Sequence, residues 1–389
     1  MAAIKQKVKH LLPAVLILCC CLLAGGAMGY LIGRFSDDHG LVRHLQEGSA
    51  GTFLLNILLL FVLILLGLFL QLIVHEGGHL IFGLATGYRF LSFRIGSLTL
   101  VRSAEGRSEW KRLNIAGTAG QCLLSPPQMT DGRFPYVLYN LGGSLMNLLT
   151  GAVSFGLFAA TREGRYLPVF LLGSAMFGLV FALTNGIPMK TALISNDGYN
   201  AVSLGKDPEA LRAFWLQLKI NEQLTLGVRL REMPEEWFTL PADADLQNPM
   251  ISTIAVFREN RLMDALDFDG ASAQIDLLKS GRCRIIGIYD ALLTLDRVYL
   301  DLLRRGKDAD LAPLSEKQTT VLLRQMRQFP SVLRTRYAAS LARGDEKDAR
   351  KALRQFEKVR HTYPSPAEIA AEADLIAAVR QKFQPPKER

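Results

Sequence analysis

Apolar and polar positions are distributed very unevenly along this chain. Four long apolar runs fill the first half, over residues 11–33, 53–74, 136–160 and 166–188. Each is long enough to cross a bilayer, which takes about 20 residues. The second carries no charge and continues into His75-Glu76-Gly77-Gly78-His79, so that its helix is predicted to end near Gly87. The first run follows Lys5, Lys7 and Lys9 and could be read as a signal peptide; its length favours a retained span. Between the second and third runs, Phe90, Ser92 and Arg94 alternate with Leu91, Phe93 and Ile95. That period of two, with turn signals at Gly96 and Glu105-Gly106, predicts a small β-element. Gly117, Gly120, Pro126 and Pro127 then predict a constrained loop. After Gly205 the period changes to that of amphipathic helices, predicted near 208–232, 249–262, 265–279, 283–305, 315–328, 331–343, 346–361 and 366–383. They fall in pairs, with Ala339, Ala342, Ala349 and Ala352 as small contact residues, a pattern suggestive of tetratricopeptide-like hairpins or of a generic bundle.

The expected fold is therefore mainly α. It has a polytopic membrane helical core over 1–204, with spans near 11–33, 53–87, 136–160 and 166–188. A small β-element lies at the membrane face, and an α-helical soluble domain covers 205–389. The formal charge of +9 changes this picture only by orienting it. Basic residues gather beside the apolar runs, at the N-terminus and through the 88–133 loop, with fewer on the opposite side. Lys and Arg in short loops mark the cytoplasmic face. The N-terminus and the C-terminal domain are thus expected in the cytoplasm of a multi-pass cell-membrane protein, and no nucleic-acid partner is expected. Of the five cysteines, Cys19, Cys20 and Cys21 lie in the first apolar run, and Cys122 and Cys283 stand alone. No disulfide or zinc-knuckle spacing is present.

The chemistry concentrates at residues 75–79. His75 and His79, four apart on a helix, share one face and can hold one zinc ion. Glu76 is then placed as general base. Ionisable groups inside an apolar span are costly and mark function. The glycines at 77 and 78 weaken a helix interior by about 1 kcal/mol each relative to Ala, which makes sense if another element approaches the backbone there. A zinc site needs a third protein ligand. Asp197, in Asn196-Asp197-Gly198 after the fourth run, is the leading candidate, and Glu209 is the alternative.

These residues resemble the site-2 protease family of intramembrane zinc metallopeptidases, over about residues 53–200. The family pairs a His-Glu-x-x-His helix with a later Asp-Gly whose Asp is the third ligand, matched here by His75, Glu76, His79 and Asp197. Gly142-Gly143-Ser144-Leu145-Met146-Asn147 resembles its Gly-Pro-x-x-Asn element, with Ser144 in place of Pro. The resemblance implies that Asn147 holds substrate backbone or the developing oxyanion, that Gln121 can touch substrate, and that a strand receives an extended peptide. It implies Zn2+ as cofactor, and a transmembrane or hydrophobic peptide in the lipid bilayer as substrate. The C-terminal helices are expected to bind a protein partner. Two alternatives stand beside this reading: a non-catalytic membrane scaffold, and a membrane-anchored zincin acting on soluble proteins through Glu209.

Overall fold

A computed structural model describes a few helical positions between 22 and 34, then residues 49–115, 118–161, 166–189 and 195–383. Most of the first apolar run lies outside the described residues. The described chain is mainly helical, with one small antiparallel sheet. It forms two compact units: one of residues 1–88 and 135–206, the other of 89–134 and 207–389. The second junction lies close to the 204/205 boundary read from the sequence. The sheet segment, however, groups with the C-terminal helices and not with the apolar ones.

In the first unit, three helices are long and apolar enough to cross a membrane: α1 (Ala50–Ala85), α2 (Val137–Ala160) and α3 (Leu167–Gly186). Ser49 caps α1 by accepting from the Thr52 amide, and Pro168 in the first turn of α3 sits where its missing N–H costs nothing. At 1.5 Å per residue, α1 is a rod of about 54 Å, longer than a hydrocarbon core of about 30 Å. Its burial is inverted relative to a water-soluble helix. The buried positions are Asn56, Gly67, Gln71, His75, Glu76, Gly78, His79 and Gly83, polar or small, while Leu54, Leu55, Leu58 and Phe61 face outward. Helices that meet in an apolar solvent gain little by burying leucine, so small and hydrogen-bonding residues form their contacts.

Glycines set how closely these helices approach. A Cβ at Gly78 would lie 2.2 Å from the Gly142 carbonyl oxygen, and one at Gly142 would lie 2.6 Å from that of Gly78. A Cβ at Gly178 of α3 would lie 2.7 Å from the Asn147 carbonyl oxygen of α2. Gly77, by contrast, faces open space. α2 passes through Ser144 without interruption. α3 ends at Gly186, before Pro188, and the short helix α4 (Asp197–Ser203) follows.

The second unit opens with β1 (Arg89–Ile95), β2 (Leu98–Arg102), β3 (Ser108–Arg112) and β4 (Gly120–Ser125), in the order β3-β2-β1-β4. Ile95 pairs with Leu98 across a two-residue turn; Gly96 there has φ +59°, as a type II′ hairpin demands. The period-two reading needs one adjustment. A register shift between Phe90 and Ser92 lets Leu91, Ser92 and Arg94 all turn inward. The Arg94 guanidinium donates to the carbonyls of Gly96 (2.7 Å) and Gly120 (3.2 Å) and to Thr118 Oγ1 (2.6 Å). The loop expected around Gly120 is instead the edge strand β4.

The remaining helices are α5 (Pro208–Thr225), α6 (Pro249–Asp264), α7 (Phe268–Lys279), α8 (Gly287–Arg305), α9 (Lys317–Gln325), α10 (Pro330–Ala342), α11 (Glu346–Arg360) and α12 (Pro366–Phe383). Their bounds follow the sequence expectation closely, except that the first stops at Thr225. Their core contains Ile275, Tyr299, Leu302, Ala338, Ala352, Phe356 and Val379. The sheet joins these helices at both edges. The Arg112 amide donates to the Thr362 carbonyl at 2.8 Å, and Ser125 Oγ hydrogen-bonds Glu222, which also holds Lys219.

Gly77 and Gly78 thus make a matched test. Gly78→Ala forces α1 from α2, and overpacking of this kind costs about 1–3 kcal/mol or more; a lowered melting temperature in detergent micelles is the expected result. Gly77→Ala meets nothing and gains helix propensity, about 1 kcal/mol, so its melting temperature should match or exceed that of the parent. Equal losses from both would show that α1 and α2 do not meet at this point.

Candidate metal centre

The His75 and His79 rings meet edge to face, with centroids 4.9 Å apart, as expected one turn apart on α1. Their Nε2 atoms are 3.3 Å from each other. Asp197 Oδ2 lies 3.3 Å from His75 Nε2 and 3.4 Å from His79 Nε2. The three atoms form a nearly equilateral triangle. Zinc bonds of about 2.0–2.1 Å, arranged tetrahedrally, set neighbouring donors roughly 3.3–3.4 Å apart. The triangle is one face of such a tetrahedron, and the His75, His79 and Asp197 group can hold a metal ion.

The hydrogen bonds behind the rings decide what the triangle contains. His75 Nδ1 lies 2.7 Å from Asn147 Oδ1, and His79 Nδ1 lies 2.7 Å from the Tyr139 carbonyl oxygen. A carbonyl only accepts, so His79 carries its proton on Nδ1. The Asn147 amide is oriented just as firmly. Its Nδ2 donates to the Gln71 carbonyl and to Gln71 Oε1, both at 2.8 Å; a flipped amide would set oxygen against oxygen. His75 therefore donates through Nδ1 as well. With Nδ1 engaged in this way, each ring turns its Nε2 towards the triangle, where a metal ion could take its lone pair, and Asp197 adds a carboxylate oxygen. Three such atoms facing one point can hold a cation between them. This donor set fits a divalent zinc site of the two-His, one-carboxylate kind.

Packing keeps the place clear. A Cβ at Gly143 would lie 2.5 Å from His75 Cε1 and 2.6 Å from its Nδ1. Phe181 meets the His75 ring edge on at 6.3 Å, and Tyr139, stacked on Tyr88, flanks His79. Glu76 is buried beside the ligands and close enough to His79 to act on it electrostatically. The side chains of His75 and His79 are 9% and 11% exposed and that of Asp197 25%, so Asp197 is the most exposed of the three.

Asp197 reaches the triangle through its neighbour. Asn196 caps α4: its Oδ1 accepts from the amides of Tyr199 and Met189, both at 2.9 Å. Its Nδ2 donates to the carbonyls of Thr184 (2.8 Å) and Ile187 (2.7 Å). One side chain thus joins the frayed end of α3 to the first turn of α4 and sets the register of Asp197. Gly198 is not a turn residue. It sits in that first turn because a Cβ would lie 2.1 Å from the Gly186 carbonyl oxygen.

The other sequence candidates separate. Asn147, matched by resemblance to a substrate or oxyanion position, has both amide hydrogens on Gln71 and its oxygen on His75. No donor is left for an oxyanion in this arrangement, and its place is behind a ligand. Glu209 pairs with Arg212 at 3.0 Å in the first turn of α5 and is outside the metal-competent group. Gln121 stands in β4 opposite Arg94. Sequence reading passed over Gln71 and Asn196. Gln71, with Asn56 one of two amides in a charge-free apolar run, carried the signal that polar groups in such runs are functional; Asn196 carried only the signature of an N-cap. Set against protein-family models, curated proteins and solved structures, the chain finds no match.

Two variants test the supports apart from the ligands. Asn147→Ala frees the His75 ring, and loss of such an outer partner weakens metal affinity by about 10–100-fold. Asn196→Ala removes four hydrogen bonds and an N-cap worth about 1 kcal/mol, and should lower zinc retention through Asp197. Chelator competition on the purified chain reads both. Wild-type affinity in Asn147→Ala would remove it from the site.

Proposed function

We propose that this chain is a membrane-embedded zinc metallopeptidase of the site-2 protease type, cleaving peptide bonds in transmembrane or hydrophobic peptide substrates. The observation that carries the proposal is the triangle of His75, His79 and Asp197, with both imidazoles locked by their Nδ1 protons and Glu76 buried beside it. The polar inner stripe and aliphatic outer face of α1 support its place in a bilayer. The cytoplasmic placement of the N-terminus and of the second unit rests on the distribution of Lys and Arg in the loops.

Zinc bound at the triangle supplies Lewis acidity for the scissile carbonyl and lowers the pKa of water. The chain's own groups do the rest. The Glu76 carboxylate takes a proton from the attacking water as its oxygen bonds to the carbonyl carbon. It then passes that proton to the amide nitrogen as the C–N bond breaks. His75 and His79, fixed in rotation by Asn147 and Tyr139, hold the donor geometry without reorganising. Asp197 closes the third corner from a separate helix. The second unit, in this reading, recruits or regulates through protein contacts.

Glu76→Gln separates the roles. It should retain one equivalent of zinc and lose about 10²–10⁴-fold in cleavage of transmembrane peptides in liposomes. Asp197→Ala should lose the zinc itself. A Glu76→Gln chain used as a substrate trap should recover membrane-spanning proteins. Recovery of soluble proteins alone would overturn the intramembrane reading, and undiminished function without zinc would make the chain a scaffold.

A further inference from the structure

The second unit holds a cavity of about 210 Å³ enclosed by α5, α6, α8, α10 and α12. A single water needs only about 10–15 Å³, so a side-chain-sized group fits. Its walls are apolar and aromatic, with Phe257, Tyr289, Phe329 and Tyr363 among them. Its charge is unbalanced: Asp264, Asp296, Glu368 and Glu372 line it, against Arg334 alone.

The partners of each charge show where the excess lies. Asp264 belongs to Arg229, whose Nε donates to it at 2.8 Å. Arg334, 1% exposed, binds Asp296, reaches Glu372 at 3.3 Å and lies 4.4 Å above the Tyr299 ring. Its Nε has no acceptor. Glu368 is left with Tyr363 and Ser365. Behind these, on α6, Glu259 is fully buried and neither of its carboxylate oxygens has a hydrogen-bond partner. The charges that act on it are Asp296, Arg334 and Glu372, the same groups that line the cavity. A buried carboxyl oxygen without a hydrogen-bond partner is costly, and on the cavity wall itself Glu372 Oε2 also accepts no hydrogen bond. Burial, with Asp296, Glu368 and Asp264 adding to it and Arg334 opposing, holds Glu372 up to about 7.

We propose that this cavity is a binding site for one organic cation, an alkylammonium or guanidinium, whose apolar stem lies against the aromatic wall and whose head meets Glu368, Glu372 and Asp296. A free small amine and the Lys or Arg side chain of a bound protein offer the same chemistry. The inference does not depend on the metal centre, so failure of either leaves the other standing.

The test is calorimetric titration of the full chain in detergent micelles with n-butylguanidinium and with N-butylurea, its neutral isostere, at equal ionic strength. Saturable one-to-one binding of the cation, with the urea at least tenfold weaker, is expected. Glu372→Gln and Glu368→Gln should each weaken the cation about tenfold, the scale of one charge-assisted hydrogen bond. A capped Gly-Arg-Gly peptide that competes assigns the site to a protein side chain; failure to compete assigns it to a free amine. Equal binding of urea and cation, binding of neither, or affinity unchanged in both variants would overturn the proposal. The comparison on the wild-type chain needs no variant to fold.

Discussion

Convergence of three lone-pair donors on one point is the constraint around which the first unit is built. His75 Nε2, His79 Nε2 and Asp197 Oδ2 stand 3.3–3.4 Å apart, the spacing of neighbouring donors around one metal ion. Each must be held there by something stronger than its own preference. The two imidazoles are held by acceptors on α2, Asn147 Oδ1 and the Tyr139 carbonyl. Asn147 in turn needs Gln71, one turn earlier on the same helix as His75. The loop α1–Asn147–Gln71 closes on itself, so neither helix can rotate without breaking two hydrogen bonds inside an apolar environment. Such bonds have no water to replace them there.

That closed loop explains the glycines. Asn147 reaches Gln71 and His75 together only if α1 and α2 nearly touch, and Gly78 against Gly142, with Gly143 under the His75 ring, is how they do so. Gly178 brings α3 to the same level, where Ser174 accepts from Gln71 Nε2 at 3.0 Å. Small residues permit the approach and amides make it specific. On α1, Leu54, Leu55, Leu58 and Phe61 face away and do neither.

Much of this was legible in the residues themselves. The 3.6-residue period gave the C-terminal helices nearly to their ends. His75, Glu76 and His79 declared themselves by spacing within an apolar run. What the spacing could not supply was orientation. Asn147 was found by resemblance but given a different task, since only the position of Gln71 reveals that its amide hydrogens are already in use. Spacing alone left Glu209 beside Asp197 as third ligand; the Asn196 side chain, with four hydrogen bonds, is what sets the register of Asp197. The sheet misled in a similar way. A one-residue shift at Leu91 turned Ser92 and Arg94 inward, and a single such slip inverts every side chain beyond it.

In the first unit, the hydrogen bonds at Gln71, Asn147 and Asn196 orient the groups around the triangle, while Asn56 Nδ2 and Ser144 Oγ are buried without a partner. In the second, Arg229 and Asp264 are satisfied, yet Glu259 and the Nε of Arg334 are not. A helical core that packs Ala338, Ala352 and Val379 with full burial has no difficulty excluding polar groups. Leaving a buried acid without a hydrogen-bond partner therefore needs a cause beyond packing. Removal of one partner from a buried charge network costs more than replacing the network with apolar residues. A sequence free to choose the apolar solution, and which instead keeps four carboxylates around one arginine, is explained when a further cation completes the set.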